Sequence, residues 1–449
     1  MRKFIIAIVL SVIAFASANA DHWFESGLFR YRIISHIGSG GTVEITGFNH
    51  SVDVNKIEEL NIPAEVPTYS FIIVGIADNA FSYTRNLKSV ILPNTITKIG
   101  NHSFSSCFQL KSIILSPKIK TIGELAFAGC SELESIVLPN SVTTIGAAAF
   151  QNCTLLSQIT LPNNLTEISA SLFNGCECLT DIVLPDKITY IGDYAFNGCK
   201  SLSGISLPNE LIFIDAFAFQ DCRNIVSVEI PDAVLHIGSN PFKNCSSLES
   251  INVGKNNASY HSYDGALYQD ASAPILKSCP GAKKNLKIEE TTETLDSSCF
   301  SGCENLEEII IPHSVRDIYS NAFDGCYSLK KVQCEIENEF YCGADFPNYD
   351  ATLLVPKGMV DYYSETEPWC NFKYIKDIEY SSIDDILCDE RQDFQITDGR
   401  IVFLRELSVE IFDAGGRLIY KGNSFNIPEL RKGVYIIKTA NQITKAIIN

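Results

Sequence analysis

Of the chain's 16 cysteines, nine hold one phase of a repeating pattern: Cys107, Cys130, Cys153, Cys176, Cys199, Cys222, Cys245, Cys303 and Cys326. A thiol can pair into a disulfide, ligate a metal as thiolate, or attack as a nucleophile. Stacked units sharing that phase would bring neighbouring Cα atoms to about 4.8 Å, inside the bridging range, so distance leaves pairing open. A single column of thiols offers a metal no tetrahedral closure. The simplest reading is a ladder of small buried hydrophobes. Cys176 with Cys178, and Cys299 with Cys303, each join one residue of the column to one outside it.

Other chemistry is thinly represented. The histidines, His22, His36, His50, His102, His236, His261 and His313, sit at unrelated phases, and the sequence has no HExxH, GxSxG or Walker A motif. Gly38-Ser39-Gly40-Gly41 lies between strand-like segments with no helix after it, which reads as a hairpin turn rather than a phosphate cradle. Glu58-Glu59, Glu289-Glu290 and Asp384-Asp385 read as solvated faces or linker. Asp264-Gly265 reads as a hairpin turn rather than a calcium loop. No catalytic, cofactor or metal-binding residue is assigned, and the chain is read as a non-enzyme that requires no cofactor.

The cysteine column belongs to a larger clock. Phe81, Phe104, Phe127, Phe150, Phe173, Phe196, Phe219 and Phe242 follow one another at 23 residues, and Phe300 and Phe323 resume the count after an interval of 58. Aliphatic residues keep the same period, including Leu110, Leu133 and Leu156, then Ile113, Ile136 and Ile159. Pro139, Pro162 and Pro185 close the segments LESIVLP, LSQITLP and LTDIVLP, which read as short strands ended by loss of a ladder donor. Gly100, Gly123, Gly146, Gly192 and Gly238 are expected to supply a positive-φ turn before the next phenylalanine. Each inward side chain contributes roughly 1.5–3 kcal/mol when fully buried. Backbone ordering costs about 1–2 kcal/mol per residue, so one unit cannot stand alone and copies must stack into a solenoid.

The pattern LxxIxLPxxIxxIGxxAFxxC resembles the BspA-type leucine-rich repeat over residues 75–334. The resemblance implies coils with a parallel strand on one face and turns or a short helical piece on the other. Residues 260–288 are similar to an insert seen in that family, a hairpin followed by a degenerate coil, set within about 255–298. Proteins of that type are implicated in adhesion to host matrix proteins and in contact between cells. The resemblance therefore implies an extracellular protein partner.

The ends read differently. Residues 1–20 have Arg2 and Lys3, an apolar run and Ala18-Asn19-Ala20, the pattern of a secretory signal peptide cut before Asp21. No transmembrane stretch is expected after its removal. Residues 21–74 alternate as strands and are expected to cap the first coil, and residues 335–380 to cap the last, with Trp369 and Phe372 as its plug. A polar linker, 381–393, leads to 394–449, expected to form a small β-sandwich. That stretch is similar to the type A C-terminal sorting domain of the type IX secretion system, through Gly416-Arg417 and Lys432-Gly433-Val434-Tyr435. The similarity implies the type IX machinery as a partner and a secreted or outer-surface location.

The fold class expected is thus a β-rich solenoid of 23-residue leucine-rich repeats with parallel strands, a β-rich N-terminal cap and a C-terminal β-sandwich. A net charge of −18 opposes nucleic acid and anionic membrane as partners. The candidate ligand face is the outward side of the LxxIxLP strands: one column with Ser89, Ser112, Ser135, Gln158 and Asp181, beside another with Ile91, Ile114, Val137, Thr160 and Val183. Hydroxyls beside β-branched apolar groups suit an extended protein partner, and the function expected is an adhesin or interaction scaffold. The alternatives are a plain β-surface, a stalk that displays only its ends, and a glycan-binding or nutrient-capture accessory. A glycan binder would call for aromatic platforms, which these columns lack.

Overall fold

The computed structural model describes residues 23–378 apart from 38, 39, 68, 273 and 339, together with strands between 394 and 448. Ala18, Ala20 and the linker 381–393 lie outside the described residues. The chain divides into two units, Met1–Asp377 and Ile378–Asn449.

The first unit is a parallel β-solenoid with strand-rich ends. Most coils carry two strands. Longer ones, such as Ser89–Ile91, Ser112–Ile114, Ser135–Val137 and Gln158–Thr160, come from the LxxIxLP segments. Two-residue ones, such as Lys98–Ile99, Thr121–Ile122 and Thr144–Ile145, follow the proline. All pair in parallel with residues 23 apart, Ser89 with Ser112 and Ile99 with Ile122 for example. The second face is therefore a narrow strand ladder flanked by turns, where the family resemblance allowed a helical piece.

The phenylalanines stack down the interior. Phe104, Phe127 and Phe150 are fully buried, with successive ring centroids 5.5 Å apart and planes within 6° of parallel, the offset range that rings prefer. The cysteine column beside them does more than fill space. In each coil the Cys N–H donates to the Phe carbonyl three residues earlier, Cys130 to Phe127 at 3.1 Å. That same carbonyl also accepts the thiol of the next coil, Cys153 Sγ–H at 3.3 Å. Cys107, Cys130, Cys176, Cys199, Cys222, Cys245 and Cys326 repeat this thiol bond at 3.1–3.3 Å. The described cysteines are free thiols.

The expected role of the glycines is corrected. Gly100, Gly123, Gly146, Gly192 and Gly238 do not have positive φ; two residues later His102, Leu125, Ala148 and Tyr194 take it instead, at φ 53 to 55°. The glycines are there for space: a Cβ on Gly146 would lie 2.4 Å from the Glu124 backbone nitrogen, and one on Gly123 2.5 Å from that of Asn101. The backbones of adjacent coils close on each other at this phase.

Strands Phe29–Ile37 and Gly40–Phe48 form an antiparallel hairpin, and the second pairs in parallel with Ser70–Ile76, so the N-terminal sheet runs into the short-strand ladder. After Phe242 the chain loops out as an antiparallel hairpin, Tyr260–Tyr263 with Ala266–Gln269, turned by Asp264 and Gly265 at φ 47 and 74°. Across this excursion the Asn240 side-chain amide donates to the Ser298 carbonyl at 2.5 Å, and Ser278 donates to Asn240 at 2.7 Å. The apolar interior is split at the hairpin into two clusters, one reaching Leu267 and the other running from Ala266 to Phe372. Trp369 and Phe372 are buried in the latter, against Phe346 at 5.0 Å from each.

The second unit is strand-rich. Phe394–Thr397 pairs with Arg400–Phe403, and a four-stranded antiparallel sheet contains Ser408–Asp413, Leu418–Asn423, Gly433–Lys438 and Ile443–Ile448. The Arg417 N–H donates to the Asp413 carboxylate at 2.9 Å at the mouth of its first hairpin. Gly416 and Lys432 lie outside the described residues, while Gly433, Val434 and Tyr435 begin the strand Gly433–Lys438.

Candidate interaction surface

The outward columns lie on the long-strand face. Ser89 pairs with Ser112 and Ile91 with Ile114; Ser135 pairs with Gln158 and Val137 with Thr160. Alternation along each strand buries the central Val90, Ile113, Ile136 and Ile159 and turns their flanking residues outward. Ile91 is 44%, Ile114 60%, Val137 70% and Val183 79% exposed, which makes an apolar stripe in water. Ser112, Ser135, Gln158, Thr160 and Asp181 are exposed beside it, and Ser89 is half-buried.

Two expected strands are absent. Asp181–Leu184 of LTDIVLP has no ladder partner, and neither does Gly204–Leu207 in the following coil. No backbone hydrogen bond is made by either segment among the described residues. The short-strand ladder of these coils nevertheless stays continuous, from Glu167–Ile168 through Tyr190–Ile191 and Phe213–Ile214 to His236–Ile237. The coils are thus held on one face and parted on the other. Gly204 and Ser206 stand where other coils carry side chains better suited to a pleated surface, so the segment at 181–183 loses a neighbour on that side, while Gln158–Thr160 on the other side pairs only with Ser135–Val137. Three clefts result, of about 480, 520 and 430 Å³, between Thr160 and Val183, Val183 and Ser206, and Ser206 and Glu229.

Residue-by-residue reading of the long-strand face missed two other features. On the short-strand ladder, Tyr190, Phe213 and His236 are in register in consecutive coils, with ring centroids 6.5 and 6.2 Å apart, and Phe213 is 43% exposed. The Tyr190 hydroxyl donates to the Asp215 carboxylate, and this bond holds its pKa up at about 12. The signal is the spacing of 23 on the post-proline segments. On the insert, His261 lies between two carboxylates, Nδ1 at 2.6 Å from Asp270 and Nε2 at 2.8 Å from Glu289, stacked on Tyr268. It ties the hairpin to the next coil.

Among the described residues one trio could meet a cation: the ligand atoms of Glu290, His313 and Glu335 lie within 4.8 Å of one another. Glu290 already has Lys287 at 3.4 Å and Glu335 accepts from Gln333 at 2.7 Å.

A parallel-stranded solenoid whose coils stack Leu, Ile and Phe in buried columns is the geometry of a leucine-rich repeat protein. The BspA type leucine rich repeat region matches residues 74–185, 166–264 and 275–344, in six copies. This is more than half of the chain, and the chain belongs to that family. Among solved structures, a leucine rich cell surface protein from Faecalibacterium prausnitzii A2-165 is 22% identical at a TM-score of 0.51, covering 82% of this chain and 97% of its own. A leucine-rich repeat protein from Bacteroides ovatus ATCC 8483 is 23% identical at 0.42, covering 72% and 98%. At 22% identity the likeness to the Faecalibacterium protein concerns the fold. No match is found among curated proteins.

Proposed function

We propose that this protein is an exported, surface-displayed scaffold without catalysis that binds an extracellular protein through its long-strand face. The carrying observation is the stripe of Ile91, Ile114 and Val137, 44–70% exposed and in line beside Ser112 and Ser135. Isolated apolar residues on a surface are ordinary, but a row of them at one phase of successive coils supports a contact surface. A rigid β-ladder loses little entropy when a partner settles on it. The cell-surface description of the Faecalibacterium protein supports display outside the cell. The partner expected is a host matrix protein or a protein of another cell.

The test is retention of the full chain on an array of purified extracellular matrix proteins, against Ile91→Glu/Ile114→Glu/Val137→Glu. The exposed positions tolerate the change, so the melting temperature stays put while retention falls about tenfold or more. Equal retention would move the site elsewhere.

Export rests on residues 1–20 and on the tail, where Gly416-Arg417 and Lys432-Gly433-Val434-Tyr435 carry the similarity to a type IX sorting domain. Removing residues 394–449 is expected to trap the protein inside the outer membrane, read by protease accessibility on intact cells. Surface labelling equal to that of the full chain would end the sorting role.

A second reading, a glycan-binding accessory, is favoured by the Tyr190–Phe213–His236 column with Asp215 as a hydrogen-bonding carboxylate. Stacking of sugar rings would quench tyrosine fluorescence on titration with polysaccharide, and Phe213→Ala would abolish the change.

A further inference from the structure

The parted coils present an edge that a solenoid does not normally leave open. Backbone N–H and C=O groups are obligatory hydrogen-bonding groups, and each coil elsewhere on this face finds at least one ladder neighbour, as Ser112 does in Ser89 and Ser227 in Ser250. Asp181–Leu184 and Gly204–Leu207 have none. The outer edge of Glu229–Ile230 is free as well, since that strand pairs only with Asn252–Val253. A cleft of about 520 Å³ separates the first two segments, within the range of about 300–1,000 Å³ usual for ligand sites. At Gly204 an added Cβ would meet nothing within 4 Å.

The floor and walls differ in character. Ile182, Leu184, Leu207 and Ile230 are buried beneath. The rims carry Asp181 and Asp186 in one cleft and Glu229 and Asp232 in the next, against a single base, Lys255. Main-chain donors and acceptors without partners, above an apolar floor and between acidic rims, call for an extended chain with cationic side chains.

We propose that this opening is a strand-addition site for an extended basic segment of a partner polypeptide. Main-chain hydrogen bonds to residues 181–184 and 204–207 supply affinity, as in β-augmentation. Lysine or arginine side chains on alternate positions reach Asp181, Asp186, Glu229 and Asp232, while the intervening side chains face the apolar floor. The site rests on the reading of the long-strand face as the working surface, and it names the partner's form and charge. Ile91 and Ile114 lie outside it, while Val137 lines the adjoining cleft with Asp181 and Val183.

The test uses the full chain and a dye-labelled, end-blocked peptide of alternating lysine and valine, titrated by fluorescence anisotropy. Saturable binding is expected, weakening with salt. The same peptide N-methylated at alternate amides, and the double variant Asp181→Lys/Asp186→Lys with an unchanged melting temperature, should each bind about tenfold or more weakly. The Ile91→Glu/Ile114→Glu variant, which leaves Val137 and the clefts untouched, should bind the peptide within about twofold of the parent. This separates failure of the opening from failure of the apolar stripe, which the matrix array reads independently. By hydrogen exchange, amides of 182–184 and 205–207 are expected to be unprotected in the free chain and protected by the peptide. Absent binding, equal affinity for the N-methylated peptide, or protection already present in the free chain would each overturn the proposal.

Discussion

Raising the pH from about 8 to about 10 under reducing conditions is expected to unfold this protein, with a stability loss far steeper than its surface charge would cause. All nine repeat-phase thiols are held in the protonated form by the fold, their pKa raised above the ordinary value. Burial is the leading cause for all but Cys303, where the neighbouring Cys279 comes first; Cys107 and Cys153 reach about 12. The unfolded thiols release their protons near pH 8.5, while the folded ones keep theirs. The stabilisation is therefore complete below that value and is lost as pH climbs toward the folded pKa. Each such thiol contributes a slope of about 1.4 kcal/mol per pH unit, so nine would remove roughly 12 kcal/mol per unit. That is comparable to the whole stability of an ordinary domain, about 5–15 kcal/mol. Urea midpoints by circular dichroism at successive pH values would show it, and Cys153→Ala should make the slope shallower by one proton. The same substitution frees the Phe127 carbonyl from its thiol donor, at a cost near neutral pH of about 1 kcal/mol. Disulfide-paired thiols would have no proton to lose. A flat alkaline profile with sensitivity to reductant would remove the thiol column from this account.

The solenoid was legible because Phe, Cys, Leu and Ile recur with a period that only stacking explains, and the burial of Phe127, Cys130, Leu133 and Ile136 follows from it. The direction of the Cys153 thiol was not, since pattern reveals burial but not which carbonyl lies one coil away. The strand signal of DIV at 181–183 is as good as that of SIV at 135–137. It pairs with neither neighbour: Gly204 and Ser206 weaken one side, and on the other Gln158–Thr160 is a strand that pairs only with Ser135–Val137. Strand propensity is a property of a segment, whereas a ladder is a property of two. The aromatic column of Tyr190, Phe213 and His236 was in plain view in the sequence, but its meaning depended on the post-proline segment being a strand with an outward face.

The close approach of coils at the glycine phase yields the sharpest test of local geometry. At Gly146 a methyl group would fall 2.4 Å from the Glu124 nitrogen and 2.7 Å from the Gly123 carbonyl carbon, both backbone atoms that cannot swing aside. Gly146 is also tied in place, its N–H donating to the Ile122 carbonyl at 2.8 Å. Gly146→Ala must therefore force adjacent coils apart and break the ladder bond between Ile122 and Ile145 neighbours, at a cost of roughly 3 kcal/mol or more. Two residues on, the prediction reverses. Ala148 sits at φ 54°, where a Cβ costs about 1–2 kcal/mol, so Ala148→Gly relieves strain that the greater freedom of the unfolded chain partly offsets. Its net effect lies between neutral and about 1 kcal/mol of added stability. A turn-forming role for Gly146 would give the opposite ranking. Thermal melts of the two variants decide between them, and a Gly146→Ala protein as stable as the parent would mean that the coils leave room for a Cβ at this phase.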